Sequence, residues 1–295
     1  MGAPRAERGG AAVLADPDCG FPYSATYRLL GAHVLVRTSH QRCLAGVSDH
    51  FSAAGEDPWT TPDQIVECSW PEAGRYLFRS RPAGEGDTPL RGVRVLIPGG
   101  GPAADWTGTG PPLPAFRLPP IQGRFAGLHA AAVRLPAGGV LVAGPRGSGK
   151  STVAVELVNR HEGALLTDET AFLHRRTAIV EPYAGAIGVW EAGRLKHRVP
   201  AVDACRSVAR EPGEMAALVV LRPGDPAGVR DLDAGGAFRE ILAHHVDVGA
   251  EADEAMTTLA GVAHRLPAAS AGWSSYADLL ALPGAVVAWL RANTG

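Results

Sequence analysis

Lysine is almost missing from this sequence. The chain of 295 residues has 28 basic side chains, of which only Lys150 and Lys196 are lysines, leaving 28 − 2 = 26 arginines. With 50 alanines and 37 glycines, this composition reflects a GC-rich coding bias. In such a background, a lysine at a site that needs a compact ammonium is more informative than usual. Cysteine is scarce too: Cys19, Cys43, Cys68 and Cys205 form no CxxC unit. Neither a structural zinc site nor a dithiol redox centre is expected, and free thiols in a cytoplasmic chain are the default. No apolar run is long enough for a membrane helix. The opening MGAPRAERGG has no apolar stretch after its charges, so no secretory signal is expected. Charge of one sign is also missing, since 30 acidic residues against 28 basic ones leave −2. That argues against a nucleic-acid binder working through bulk charge. What remains is 46% apolar and 20% charged, the balance of a folded globular chain. The length suits one large domain, or a core domain with a smaller one.

The first dozen residues read as frayed. YRLLGAHVLVR (27–37), RYLFRS (75–80) and RGVRVLIPG (91–99) read as strands, with 48–63 as loop. No helical period is apparent before residue 120, so a small β-rich domain is expected over 1–110. Residues 98–120 are dense in proline and glycine, which places a linker at 111–122. The rest, 123–295, changes character. GRFAGLHAAAVRLP (123–136) reads as a strand with an irregular start, and GGVLVAG (138–144) as a short buried strand. STVAVELVNRH (151–161) reads as helix and GALLTD (163–168) as the next strand. Strand, helix, strand at this spacing is an α/β unit with a parallel sheet. MAALVVLRP (215–223) adds a buried strand. Helices are expected at 237–246, at 253–266, and at 275–290 with a break at Pro283-Gly284.

One motif carries the chemistry. Gly144, Pro145, Arg146, Gly147, Ser148, Gly149, Lys150 and Ser151, followed by Thr152, match G-x-x-x-x-G-K-[ST] between a strand and a helix. The glycines let successive backbone N–H groups turn inward around a phosphate. The helix that follows aims its free N–H groups and dipole at the same anion. Lys150 reaches the outer phosphates and Ser151 is a ligand for Mg²⁺. Arg146 touches either phosphate or solvent. Asp168, in LLTDE (165–169), closes the next strand 18 residues after Lys150. Strand ends of that kind sit beside the phosphate loop, so Asp168 is placed to touch the metal or the acceptor, with Glu169 assisting. No NKxD sequence for guanine and no LSGGQ-like signature occurs.

The stretch LHAAAVRLPAGGVLVAGPRGSGKSTVAVELVNRHEGALLTD (128–168) resembles the HPr kinase/phosphorylase-like family. That family shares its nucleotide-binding fold with phosphoenolpyruvate carboxykinases. The resemblance implies an α/β fold: a P-loop-containing, HPr kinase/PEP carboxykinase-like C-terminal domain after a small β-rich domain. His129 takes the place of the family's histidine ahead of the loop and Gly138-Gly139 that of the hairpin turn. Lys150 and Ser151 stand at the phosphate and metal positions. Asp168 stands for the first acid, which contacts metal or serves as base toward the acceptor hydroxyl. Glu169 stands where a second aspartate is usual. The specific resemblance covers about 40 residues and a looser one runs to the C-terminus. The second signature of the bifunctional enzymes, which supports phosphorolysis, is not found in GAIGVWEAGRLKHRV (185–199).

The function implied is an ATP- and Mg²⁺-dependent kinase. Its acceptor would be a hydroxyl on a small metabolite or on a serine of a peptide or small protein; the protein HPr itself is a weak bet. The alternative is a nucleotide-gated ATPase or regulator with water as acceptor. No nucleic-acid or membrane partner is expected, and assembly into a homo-oligomer is left open. In EPYAGAIGV (181–189) a proline and an aromatic follow a strand near the expected cleft. Lys196, His197 and Arg198 form a basic cluster, of which one neutralises phosphoryl charge or all face solvent. His244-His245 cannot both face one site and complete no zinc set. Trp59, Trp70 and Trp106 read as core or loop anchors.

Overall fold

The computed structural model describes residues 21–39, 41–55, 61–72, 75–82, 91–96, 119–189 and 197–294. The chain divides into two compact units, Met1–Arg117 and Leu118–Gly295. The first dozen residues, Trp59, Trp106, Lys196 and positions 111–118 of the expected linker lie outside the described residues.

The first unit is a five-stranded sheet in the order β1-β2-β3-β4-β5. β1 (Tyr23–Leu29) and β2 (Ala32–Thr38) form a hairpin whose two turn residues, Leu30 and Gly31, both have positive φ, 54° and 72°. That backbone twist matches the twist of the strands it joins. β3 (Gln64–Glu72) runs parallel to β2, while β4 (Arg75–Pro82) and β5 (Arg91–Leu96) continue antiparallel. A parallel pair needs a crossover, and helix α1 (Gln41–His50) supplies it. This corrects the expectation that no helix precedes residue 120. Leu44, Val47 and the following Phe51 share one buried stripe, although the segment's overall apolarity is low. Tyr27 packs beneath them, its ring centroid 6.1 Å from that of Phe51 and its hydroxyl 2.6 Å from Ser48 Oγ. Burial pushes the Tyr27 phenol up to about 12.

The second unit is mixed α/β around a ten-stranded sheet. A short helix, α2 (Pro119–Gln122), leads into β6 (Phe125–Leu128) and β7 (Ala130–Leu135), two strands where one irregular strand was expected. β7 turns back as β8 (Gly138–Ala143), and α3 (Lys150–Arg160) leads to β9 (Ala164–Thr167). β10 (Ala171–His174), β11 (Ile179–Glu181), β12 (Ile187–Val189), β13 (His197–Val199) and α4 (Ala201–Ala204) are short. β14 (Gly213–Pro223), β15 (Gly228–Leu232), α5 (Ala234–Ala243), β16 (His245–Val246), α6 (Ala252–Arg265), β17 (Ala268–Trp273) and α7 (Tyr276–Asn293) complete the chain. The helix expected at 237–246 therefore starts earlier and gives way to strand β16.

β14 is the hub, parallel to both β8 and β17. Its residues alternate between two cores. Leu218 and Val220 join β6, β10, α5 and α6 on one face, and Ala217, Val219 and Leu221 join α3 and α7 on the other. Burial on both faces explains why β8 and β14 read as unbroken apolar runs. Each fully buried valine or leucine there contributes roughly 1.5–3 kcal/mol of transfer free energy.

α7 is continuous through Pro283, where a break was expected. Pro283 is buried with Leu279, Leu282, Val286, Val287 and Leu290, and this packing outweighs the lost backbone bond. Its start is set by a capping box between Ser275 and Asp278. Among the described residues, no helix is long and apolar enough to cross a membrane.

Candidate functional site

Three strand ends meet at one edge of the second unit's sheet. β7 pairs antiparallel with β8, Ala130 opposite Ala143, and with β9, Ala132 opposite Thr167. The start of β7 therefore lies beside the ends of β8 and β9. His129, Gly144 and Asp168 are the residues just beyond those strand ends.

The loop from Gly144 to Gly149 joins β8 to α3. Gly144 and Gly149 have φ of 146° and 92°. A Cβ on Gly144 would lie 2.7 Å from Ser148 Oγ and 3.1 Å from the Leu221 carbonyl oxygen, and one on Gly149 would lie 2.7 Å from Leu279 Cδ1. Both ends of the loop are thus closed to any side chain. Between them Pro145, Arg146 and Gly147 are exposed, and Ser148 is buried with its hydroxyl lacking a hydrogen-bond partner. Trp273 Nε1 donates to the Ser148 carbonyl at 3.0 Å and pins the loop from behind.

Gly149 is the N-cap of α3, and no side chain caps the helix. The first-turn N–H groups of any helix lack intrahelical partners, which makes this end a fit for an anion. Lys150 is buried, its ammonium donating to the carbonyls of Gly144 at 2.8 Å and Pro145 at 3.0 Å. Ser151 and Thr152 follow in the first turn, both half-buried.

On the neighbouring strand end Asp168 is half-buried and Glu169 exposed. Burial, and then the Asp168 charge, push the Cys205 thiol up to about 12, which keeps it protonated and inert. His129 Nδ1 lies 2.9 Å from the Glu169 carbonyl oxygen. A carbonyl only accepts, so Nδ1 carries the proton and Nε2 presents a lone pair. Burial and the Lys150 charge hold the His129 pKa below its ordinary value, favouring the neutral ring. Arg198 Nη2 stands 3.7 Å from Glu169 Oε2, and its Nη1 donates to the Ala186 carbonyl at 3.3 Å. Tyr183 packs edge-on to Phe172 at 5.0 Å; burial and the Glu169 charge raise its phenol pKa.

The structure thus gathers Lys150, His129, Glu169 and Arg198 around the loop, in which Arg146 is itself exposed. Three further residues reach this neighbourhood: His244, which the sequence offered only as half of a histidine pair that completes no zinc set, and Arg222 and Glu240, which it did not single out. His244, just past α5, accepts from the His129 amide at 2.7 Å through its carbonyl. Its ring is held below its ordinary pKa, first by burial; Glu240 opposes this, while Lys150, His129 and Arg222 add to it. Arg222, at the end of β14, donates to Glu240 on α5 at 2.5 Å. Only long-range pairing, such as His245 opposite Leu128, brings them here, and no local pattern announces it. A cavity of about 610 Å³ lies at the other end of α3, lined by Arg134, Asn159, Arg160 and Arg206 among others, away from this cluster.

Ser151 and Asp168 supply oxygen donors of the kind Mg²⁺ takes. Among the described residues no group of three or more His, Cys, Asp or Glu is arranged to hold a metal by itself.

No family model matches the chain, and no curated protein matches it. Among solved structures, the Hpr(Ser) kinase/phosphatase from Coxiella burnetii is similar at 15% identity and a TM-score of 0.31, over 57% of this chain and 99% of that one.

Proposed function

We propose that the chain is a kinase that moves the γ-phosphoryl group of ATP to a hydroxyl on a small metabolite, or on a serine of a peptide or small protein. The observation that carries this reading is the glycine loop between β8 and α3, with buried Lys150 folded against it and His129, Asp168 and Glu169 at the adjoining strand ends.

The loop amides and the start of α3 would hold the β- and γ-phosphates. Lys150 would exchange its two carbonyl partners for phosphoryl oxygens, a compact cation meeting the outer phosphates. Ser151 and Asp168 would hold Mg²⁺, which neutralises phosphate charge when bound. Asp168 would orient the acceptor hydroxyl and take its proton as the new oxygen–phosphorus bond forms. The bond to ADP breaks in the same step, its electron pair leaving on the β-phosphate. Arg198 would add positive charge beside the transfer path, drawn off Glu169. Most of the rate gain would come from positioning and electrostatics rather than covalent chemistry.

The test is ADP production from ATP and Mg²⁺, with and without a pool of hydroxyl acceptors, by the full chain and by Lys150→Ala and Asp168→Asn. ADP release that rises with one acceptor, and drops in both variants, supports the kinase. Release that ignores every acceptor points instead to an ATPase. A folded protein that neither turns over nor binds ATP sinks both.

A further inference from the structure

We propose that Arg222 is a further catalytic residue, a guanidinium that leaves Glu240 to contact the phosphoryl group in flight. The inference rests on the kinase reading above.

The first argument is position. β14 pairs with the loop strand β8 as far as Val220 opposite Ala143. The next residue, Leu221, abuts the first loop glycine, because a Cβ on Gly144 would come within 3.1 Å of the Leu221 carbonyl oxygen. Arg222 is thus the first polar side chain of β14 level with the loop. By strand alternation it shares a face with Leu218 and Val220, the face of α5. α3 lies on the opposite face, with Ala217, Val219 and Leu221. Arg222 therefore stands across the loop from α3.

The second argument is company. Glu240 holds Arg222 through Oε1, and its Oε2 lies 3.9 Å from His244 Nε2, so the pair sits against the His244 ring. Glu240 lies one helical turn before His244, and the His244 carbonyl is tied to the His129 amide. The anchor that holds Arg222 is thereby joined to the residue that starts β7.

The third argument is access. The Arg222 side chain is 41% exposed and that of Glu240 19%. The guanidinium is thus the member of the pair that solvent, and so an incoming anion, can reach, while the carboxylate stays fixed on α5. Arginine presents a planar fork that matches two phosphoryl oxygens, and a single carboxylate holds it only until a more highly charged anion arrives. Glu240 acts as its resting partner.

The test is isothermal titration calorimetry of the full chain with Mg²⁺–ADP, and with Mg²⁺–ADP plus aluminium fluoride, a mimic of the transferring phosphoryl group. Arg222→Gln, Glu240→Gln and Lys150→Ala are measured alongside. The wild type is expected to bind the mimic complex at least about 100-fold tighter than ADP alone. Arg222→Gln should lose most of that gain, about 10²-fold, while its ADP affinity holds within about twofold. Glu240→Gln should keep the gain. Added guanidinium should restore part of the turnover of Arg222→Gln. The proposal is overturned if Arg222→Gln keeps the full gain, or if both variants of the pair lose it equally, which is what a purely structural tie would do. Thermal midpoints of the two variants check that both fold. If the wild type binds no ADP, or Lys150→Ala changes nothing, the kinase reading itself fails and this inference falls with it.

Discussion

Lys150 is where residue chemistry and sequence statistics coincide. One of two lysines in an arginine-rich chain, it sits buried with its ammonium on two loop carbonyls. Lys150→Ala is expected to slow phosphoryl transfer by about 10²-fold or more, read as initial ADP release at saturating ATP. The histidines make a pH prediction. His129 and His244 both sit below their ordinary pKa of 6.5 in the folded chain. As pH falls beneath that value, the unfolded chain takes up protons that the folded chain refuses, so stability is full above it and declines below it. The urea midpoint should hold level from pH 8 to about 7 and drop by about pH 5.5, and His129→Gln should flatten the decline. The places of the glycine loop and of Asp168 in the fold were legible because their spacing is local. The part of Arg222, Glu240 and His244 was not, because β14 reaches the loop only by pairing with β8, Val220 opposite Ala143, and His244 meets His129 only across more than a hundred residues of chain.

Elements differ in how much of themselves they print in the sequence. β8 lies between Pro136-Ala137 and Gly144, α3 follows Gly149 and β9 follows Gly163, and their apolar residues are buried, so their reading was direct. α1 was missed because three buried apolar residues on a polar segment give a faint stripe, and the parallel pairing of β2 with β3 that demands a helix is not a local signal. β10 to β13 run only three or four residues, too short for a period to show. α7 was read as broken because Pro283 forbids a backbone bond, yet its apolar residues hold it on α3. That helix has a duty toward the loop, since Leu279 fills the space against Gly149. Leu279→Ala is expected to cost about 2–5 kcal/mol, read by denaturant unfolding. It should also weaken nucleotide binding more than an equally buried change at Leu290, far along the helix.

At the scale of the whole molecule, the second unit has both of its sheet faces covered from within its own sequence, by α5 and α6 on one side and α3 and α7 on the other. A fragment spanning 118–295 is therefore expected to unfold in one cooperative transition and to bind ADP within about threefold of the full chain, measured by calorimetry. Failure of the fragment to fold would mean that the first unit is needed for the core of the second. The acceptor that the proposed reaction needs was not legible, because no residue pattern in the sequence spells out a class of hydroxyl. The bond from Trp273 to the Ser148 carbonyl carries a practical consequence. An indole fixed to the back of the loop senses any rearrangement of that peptide as a change in emission colour and intensity. If the loop takes nucleotide as proposed, that indole would report occupancy optically, and Trp273→Phe would darken the signal while the other tryptophans go on shining.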